Sequence, residues 1–87
     1  MNIERDLIDY LSNVAGKRNK SASAIEVDVS FIDSGILDSL QLLDFVNFVE
    51  KRFDIRVPGE DIIPEHFGTL GAVTNYLRKR LMVEEHA

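Results

Sequence analysis

Ser39 is the residue whose type and position most suggest chemistry, because it stands where an apolar helical pattern begins. A serine hydroxyl becomes a good nucleophile only when a base activates it, and the two histidines of the chain are His66 and His86. The Gly-x-Ser-x-Gly turn of many serine hydrolases is missing, since Leu37 and Gln41 occupy its two glycine positions. A small hydrolase that pairs Ser39 with a histidine therefore stays only an alternative.

Metal and nucleotide sites have little support in the residue types of this chain. There is no cysteine, and neither zinc-ligand spacing nor a calcium-binding loop occurs. The five glycines are dispersed, without the Gly-x-x-x-x-Gly-Lys loop that binds nucleotide phosphates. We therefore expect no metal ion and no catalytic residue. The lack of cysteine also excludes disulfides, which fits a reducing compartment.

The position of Ser39 suits a covalent attachment site. Asp38 is a natural N-cap, and Gln41 three residues later completes the pattern of a capping box. A helix N-terminus carries partial positive charge and free N–H groups, so a phosphodiester on Ser39 would be stabilised there. Equally, Asp38 could simply cap the helix and Ser39 be an ordinary residue of its first turn. Local physics leaves both interpretations open.

Three stretches that must position Ser39 repeat apolar residues at the spacing typical of an amphipathic helix. The first comprises Ile3, Leu7, Ile8, Leu11, Val14 and Ala15, before a possible stop at Gly16. The second begins at Leu40 and comprises Leu42, Phe45, Val46, Val49 and Phe53. The third follows a predicted cap at Thr69 and comprises Leu70, Val73, Tyr76, Leu77 and Leu81. These patterns predict three main helices.

The connections between these helices complete the predicted fold. Residues 16–24 are expected to form a polar loop, and residues 83–87 a frayed tail. Residues 25–32 alternate apolar and polar, which fits either a strand or a loop that turns Val27, Val29 and Phe31 inward. Residues 61–67 predict a short helix that ends at Gly68. We therefore predict an all-α fold, a small antiparallel four-helix bundle with a long first loop, as one domain over residues 1–87.

The charge and hydropathy of the chain limit its partners. Its net charge is −5 and its pI about 4.8, which disfavours nucleic acid and suits a basic protein partner, although the charge could serve solubility alone. Residues 78–80, Arg-Lys-Arg, are interpreted as a solvated face near a helix end. The charged start is unlike a secretory signal, and no stretch approaches the roughly 20 apolar residues of a membrane span. We expect a cytoplasmic monomer.

The stretch DSGILDSLQLLDFVNFVEKRFDIRVPGEDI, residues 33–62, resembles the core of the acyl carrier protein family. The resemblance includes the Asp-Ser-Leu motif at residues 38–40, the apolar helix after it and its closing segment FDIRVP. Residues 62–77 resemble the third helix and the threonine-capped fourth helix of the family. The similarity extends over roughly residues 3–82, so the motif is supported by its context.

This resemblance implies a four-helix carrier that performs no chemistry itself. Ser39 matches the serine to which a phosphopantetheinyl transferase, with magnesium, attaches 4′-phosphopantetheine from coenzyme A. The arm ends in a thiol that bears cargo as a thioester, which would explain thiol chemistry in a chain without cysteine. Asp38 matches the motif aspartate, both cap and transferase contact. Leu40 matches the exposed leucine of the docking surface, and Asp44 an outward carboxylate that meets basic partners; on the residues alone Asp44 is equally an ordinary solvated side chain.

Two departures from the family bear on the cargo. Members that serve fatty acid synthesis have a densely acidic second helix, whereas here Asp44 and Glu50 are diluted by Gln41, Asn47, Lys51 and Arg52. Carrier modules of peptide synthetases usually have two glycines before the motif, where this chain has Ile36 and Leu37. The resemblance is therefore closest to free-standing carriers. It implies an acyl carrier for fatty acid, lipid or polyketide biosynthesis or, alternatively, an aminoacyl (D-alanyl-type) carrier loaded by an adenylating enzyme.

A rival from a different class is an unmodified helical adaptor that binds proteins through its second helix. The adaptor hypothesis predicts that Ser39→Ala leaves function intact. The carrier hypothesis predicts complete loss, because Ser39 would hold the arm. The hydrolase alternative predicts turnover of an activated ester that is lost when Ser39 and a histidine are replaced.

Overall fold

Within the described residues, four α-helices and one short 3₁₀ turn make up the regular structure. A computed structural model describes residues 2–17 and 27–81. The helices are α1 (Ile3–Lys17), α2 (Ser39–Phe53), α3 (Pro64–Phe67) and α4 (Leu70–Leu81), and the 3₁₀ turn is Gly59–Asp61. Neither of these two described ranges contains a strand. The predicted all-α class, with three main helices and one short one, is confirmed.

Side-chain contacts show that α1 and α2 run in opposite directions. Asp6, near the start of α1, forms an ion pair of 2.8 Å with Arg52 at the end of α2. One turn further along α1, Tyr10 stacks on Phe48, with 4.3 Å between the ring centroids. Residues later in α1 contact residues earlier in α2, so the two helices are antiparallel, as the sequence predicted.

Helix α4 runs parallel to α2 and therefore antiparallel to α1. At its C-terminal end, the Arg80 guanidinium donates to the carbonyl oxygen of Arg56, just beyond the end of α2. At its N-terminal end, the carbonyl oxygen of Gly68 accepts from the N–H of Phe31, which precedes α2 in the chain. The two ends of α4 thus lie beside the corresponding ends of α2.

The core lies between these three helices and is built from the predicted apolar stripes. Its most deeply buried members include Leu7, Leu11, Phe31, Phe45, Val49, Phe67, Leu70, Val73 and Leu77. Leu42 and Leu81 are only partly buried at the edge of this cluster. Phe31 and Phe45 pack edge to face at 5.6 Å, which joins the first connection to α2. The spacing of apolar residues therefore identified most of the core correctly.

The end of the first connection is a series of turns whose backbone is hydrogen-bonded to the start of α4 and to Gly68 just before it. Phe31 is buried, as expected for an inward loop, and Val29 is partly buried. Val27, which the loop alternative would turn inward, is 55% exposed, so that alternative describes Phe31 and not Val27. The backbone of Val27 instead accepts from the N–H of Gly71 at 2.8 Å, and a Cβ on Gly71 would lie 2.7 Å from a Val27 methyl group. Glycine at position 71 permits this close approach.

Some predictions concern residues outside the described ranges. Most of the polar loop expected over residues 16–24 lies there, as do Ile25 and Glu26 at the start of the alternating stretch. The same is true of the tail and of His86. Helix α1 continues through Gly16 to Lys17, one residue past the expected stop.

Candidate functional site

The start of α2 is fixed by a reciprocal capping box. The Asp38 carboxylate oxygen Oδ1 accepts from the N–H of Gln41 at 2.8 Å, and Gln41 Oε1 accepts from the N–H of Asp38 at 3.1 Å. Asp38 has extended backbone angles, as an N-cap residue requires. The capping box predicted from the sequence is confirmed, and it makes Ser39 the first helical residue of α2.

The turn before Asp38 leads the chain from the core to the surface. Ile36 and Leu37 are both 1% exposed and anchor this segment, whereas Asp38 next to them is exposed. Gly35 has a φ of 80°, in the left-handed region that favours glycine, and the Ser34 hydroxyl accepts from the N–H of Ile36 at 3.4 Å. This turn at Ser34 and Gly35 was not predicted from the sequence, although a Ser-Gly pair is a recognised turn signal.

The side chain of Ser39 is exposed at the positive end of α2. Within residues 2–17 and 27–81 its hydroxyl has no hydrogen-bond partner, and the N–H groups of Ser39 and Leu40 have no acceptor. The first N–H groups of a helix and its dipole favour an anion close by. The site therefore offers an accessible hydroxyl beside a region that would stabilise a phosphate.

The surface next to Ser39 combines apolar side chains with one carboxylate. Leu40 is 74% exposed and Leu43, one turn further on, 50% exposed. Asp44 is also exposed, as predicted, and its charge acts on the hydroxyl of Tyr10 on α1. Burial, with a smaller contribution from Asp44, raises the pKa of Tyr10 above its usual value. Leu43 was not singled out from the sequence, although its position outside the buried apolar stripe of α2 indicates an exposed leucine.

The structure assigns His66 to a packing contact. Its ring packs on Tyr76 with 5.0 Å between the centroids, on the side of α4 that faces α3. In the part of the chain that the structure covers, no three residues among His, Asp and Glu are grouped to hold a metal ion. In that same part, no helix has the length and apolar character needed to cross a bilayer. The cytoplasmic location and the monomeric state stay predictions.

The arrangement as a whole suits a serine that another protein modifies. The hydroxyl is accessible, its position is fixed by the cap of a 15-residue helix, and the exposed Leu40 and Leu43 follow it in the first turns of that helix. An incoming enzyme could supply the base and the metal ion that activate the hydroxyl. Its contact surface would be the outward side of α2.

Comparison with known proteins agrees with this description. The family model described as "Phosphopantetheine attachment site" matches residues 5–77. A protein named acyl carrier protein from Exiguobacterium sp. strain AT1b is 36% identical over 81 residues, which are 93% of this chain and all of that protein. Proteins of the same name from Exiguobacterium sibiricum and Clostridium acetobutylicum are 33% and 32% identical, over 93% and 75% of this chain and 100% and 82% of their own lengths.

Proposed function

Because the chain belongs to the acyl carrier protein family, we propose that it carries an acyl group on an arm attached to Ser39. The family resemblance seen in the sequence is thereby confirmed. The prosthetic group of this family is covalently attached 4′-phosphopantetheine, and its members are carriers and not catalysts. When bound, the arm supplies the thiol that holds the cargo as a thioester. We extend this role to the whole chain as one carrier domain.

The observation that carries the proposal is the exposed hydroxyl of Ser39 in the first turn of α2. Asp38 fixes the start of this helix, and the N–H groups of Ser39 and Leu40 face the region where a phosphate on the hydroxyl would lie. The residues present therefore fit a phosphodiester-linked arm. No other serine in the described ranges occupies the first turn of a helix.

In the attachment step, the Ser39 hydroxyl oxygen forms a bond to phosphorus in the pyrophosphate of coenzyme A. The bond between that phosphorus and the bridging oxygen breaks, and the nucleotide part of coenzyme A leaves. The hydroxyl proton would pass to a base of the transferase, and the magnesium ion of that enzyme would offset the charge on the phosphates. Ser39 contributes an accessible nucleophile, and the capping box holds it in place.

We assign the transferase and the later enzymes to the outward side of α2. Leu40 would insert into an apolar pocket of the partner, because 74% of its surface is exposed before contact. Asp44 would meet a basic side chain, and Asp38 would contact the transferase in addition to capping the helix. The partners are a phosphopantetheinyl transferase, an enzyme that loads the cargo and enzymes that process it.

The proposal is tested by intact-protein mass measured before and after incubation with coenzyme A, magnesium and a broad-specificity phosphopantetheinyl transferase. We expect the native chain to gain one phosphopantetheine and Ser39→Ala to gain none. Ser12→Ala is the matched control, since it removes a serine hydroxyl within α1, far along the chain from the motif, and should gain the arm normally. Fragmentation of the modified protein should locate the added mass at Ser39.

The cargo is tested on the modified chain. We expect an acyl-activating enzyme to load it, in keeping with the name of the relatives. If only an amino-acid-adenylating enzyme loads the chain, the cargo is an aminoacyl group and not an acyl group. The role of Ser39 is the same in both cases. If the native chain gains no mass with a transferase that modifies another carrier, the arm on Ser39 is excluded and the adaptor hypothesis is favoured.

A further inference from the structure

Exposed side chains form a stripe along the side of α2 that faces away from the core. They are Leu40, Asp44, Asn47 and Lys51, which follow one another at spacings of four, three and four residues. Residues at these spacings lie on one face of a helix, because about 3.6 residues complete a turn. We refer to these four side chains as the outward stripe.

The other two charged side chains of α2 are engaged within the fold. Glu50 accepts a hydrogen bond from the backbone N–H of Val57. Arg52 forms its ion pair with Asp6 of α1. A protein that approaches the outward side of α2 therefore meets the charges of the outward stripe first.

The polar side chains of the outward stripe have no comparable contacts. Among the described residues, neither a hydrogen bond nor an ion pair joins the side chain of Asp44, Asn47 or Lys51 to another residue. Asp44 acts through its charge alone, on the hydroxyl of Tyr10. Groups that a helix holds at fixed spacing are pre-organised for contact with a second protein.

The order of these groups gives the outward stripe a direction. Leu40 at its start is apolar, Asp44 is negative, Asn47 is neutral and polar, and Lys51 at its end is positive. At a rise of about 1.5 Å per residue, the two charged residues lie about 10 Å apart along the helix axis. Opposite charges across an interface are favoured and like charges are opposed. The stripe therefore specifies both the orientation of a partner and the order of its charges.

We propose that the enzyme that loads this chain docks with a basic side chain opposite Asp44 and an acidic side chain opposite Lys51. The choice of this partner, and the contacts of Leu40 and Asp44 with it, rest on the proposed function. The new element is the acidic group of the partner, about 10 Å from the basic one. An enzyme whose docking surface is basic throughout binds weakly, because it places a cation against Lys51.

The KM of the loading enzyme for the modified chain tests the role of Lys51. The enzyme used is the acyl-activating or amino-acid-adenylating enzyme that loads the chain. Lys51→Glu should raise KM roughly tenfold at low salt, because it sets two carboxylates opposite each other, and the neutral Lys51→Gln should raise it less. Both differences should shrink as ionic strength increases.

Lys79→Glu is the matched control for Lys51→Glu. Both lysines are exposed and lie in the last turn of a helix, α4 and α2 respectively. The two variants therefore change the net charge equally and remove the same kind of favourable charge at a helix end. Lys79→Glu should leave KM close to the native value.

The sign of the effect of Lys51→Glu distinguishes the possible partners. A lower KM would mean that the docking surface of the enzyme is basic throughout, and this would overturn the proposal. An unchanged KM would also overturn it, because Lys51 would then lie outside the contact. Equal changes in Lys51→Glu and Lys79→Glu would reduce the effect to net charge and have the same consequence.

An exchange of the two charges separates their positions from the net charge. Asp44→Lys combined with Lys51→Asp keeps the net charge of −5 and reverses the outward stripe. We expect KM to rise at least as much as in Lys51→Glu, because like charges then face each other at both positions. A native KM in this variant would contradict the proposal. A failure of the proposed function is seen earlier and separately, as the absence of any mass gain with the transferase.

Discussion

Glu50 closes the turn that follows its own helix, because its Oε2 accepts a hydrogen bond of 2.8 Å from the N–H of Val57. In the sequence, Glu50 and Asp44 stand together as the remaining acidic residues of the second helix. The structure separates them: Glu50 is half-buried and bonded within the fold, whereas Asp44 is exposed. The outward charge of α2 is thus lower than its sequence indicates.

Glu50→Ala should therefore destabilise the fold without a specific effect on modification. It leaves the N–H of Val57, a residue 7% exposed, without its acceptor, at a cost of about 1–3 kcal/mol. Glu50→Gln keeps an acceptor and should recover most of this loss. Chemical denaturation measures both variants. A Glu50→Gln variant as unstable as Glu50→Ala would contradict the assignment.

Two replacements of Asp38 should distinguish its role as a helix cap from its proposed contact with the transferase. Asp38→Ala loses the bond to the Gln41 N–H and should cost about 1 kcal/mol of unfolding free energy. Asp38→Asn keeps a capping oxygen and should be nearly as stable as the native chain. If the carboxylate also meets the transferase, Asp38→Asn should lower kcat/KM for modification by roughly tenfold. An unchanged rate in Asp38→Asn would leave Asp38 as a cap alone.

Leu40→Gln should weaken docking and leave stability almost unchanged. Since Leu40 is 74% exposed, its replacement should alter the unfolding free energy by no more than about 0.5 kcal/mol. The KM of the transferase for the chain should rise roughly tenfold, as expected when an apolar anchor is lost.

Asp44→Asn should raise the same KM in a manner that depends on salt. The difference from the native chain should shrink as ionic strength increases, because an exposed charge pair is screened. Asp9→Asn is the matched control: it removes an exposed carboxylate from α1 and alters the net charge equally. If Asp9→Asn and Asp44→Asn change KM by the same factor, Asp44 has no specific partner.

The hydroxyls of both tyrosines should have a higher pKa than that of free tyrosine. Burial is the main cause that raises the pKa of Tyr76; its hydrogen bond to Asp61 adds to this, and Arg80 opposes it. Burial also raises the pKa of Tyr10. A phenol whose pKa is higher in the folded chain stabilises the fold fully below the unfolded value of about 10. This contribution is lost as the pH rises through the folded pKa.

The chain has only two tyrosines, so single variants isolate each titration. Ultraviolet absorbance of tyrosinate in Tyr10→Phe reports Tyr76, and in Tyr76→Phe it reports Tyr10. The loss of stability as the pH rises above the unfolded pKa of about 10 should be smaller in the double variant than in the native chain. A single variant that titrates like the free amino acid would contradict the raised pKa of its remaining tyrosine.

The sequence by itself determined the features that depend on residues close together in the chain. Helical periodicity located the three main helices, because burying one face of a helix requires apolar residues three and four positions apart. The bonds of Asp38 and Thr69 with residues three positions away also follow from local geometry, so both caps were predictable. The capping box is what identified Ser39 as the first residue of α2.

Only the tertiary structure decided the features that join distant parts of the chain. The alternation over residues 25–32 could not choose between strand and loop, because a strand needs a partner that the pattern does not specify. The turns seen from Val27 onward follow from backbone bonds to Gly68 and Gly71, about forty residues away. The hydrogen bonds of Tyr76 with Asp61 and of Arg80 with the backbone of Arg56 likewise join residues 15 and 24 positions apart. Such contacts arise only when the helices pack, since their side chains meet through the fold and not through their spacing in the sequence.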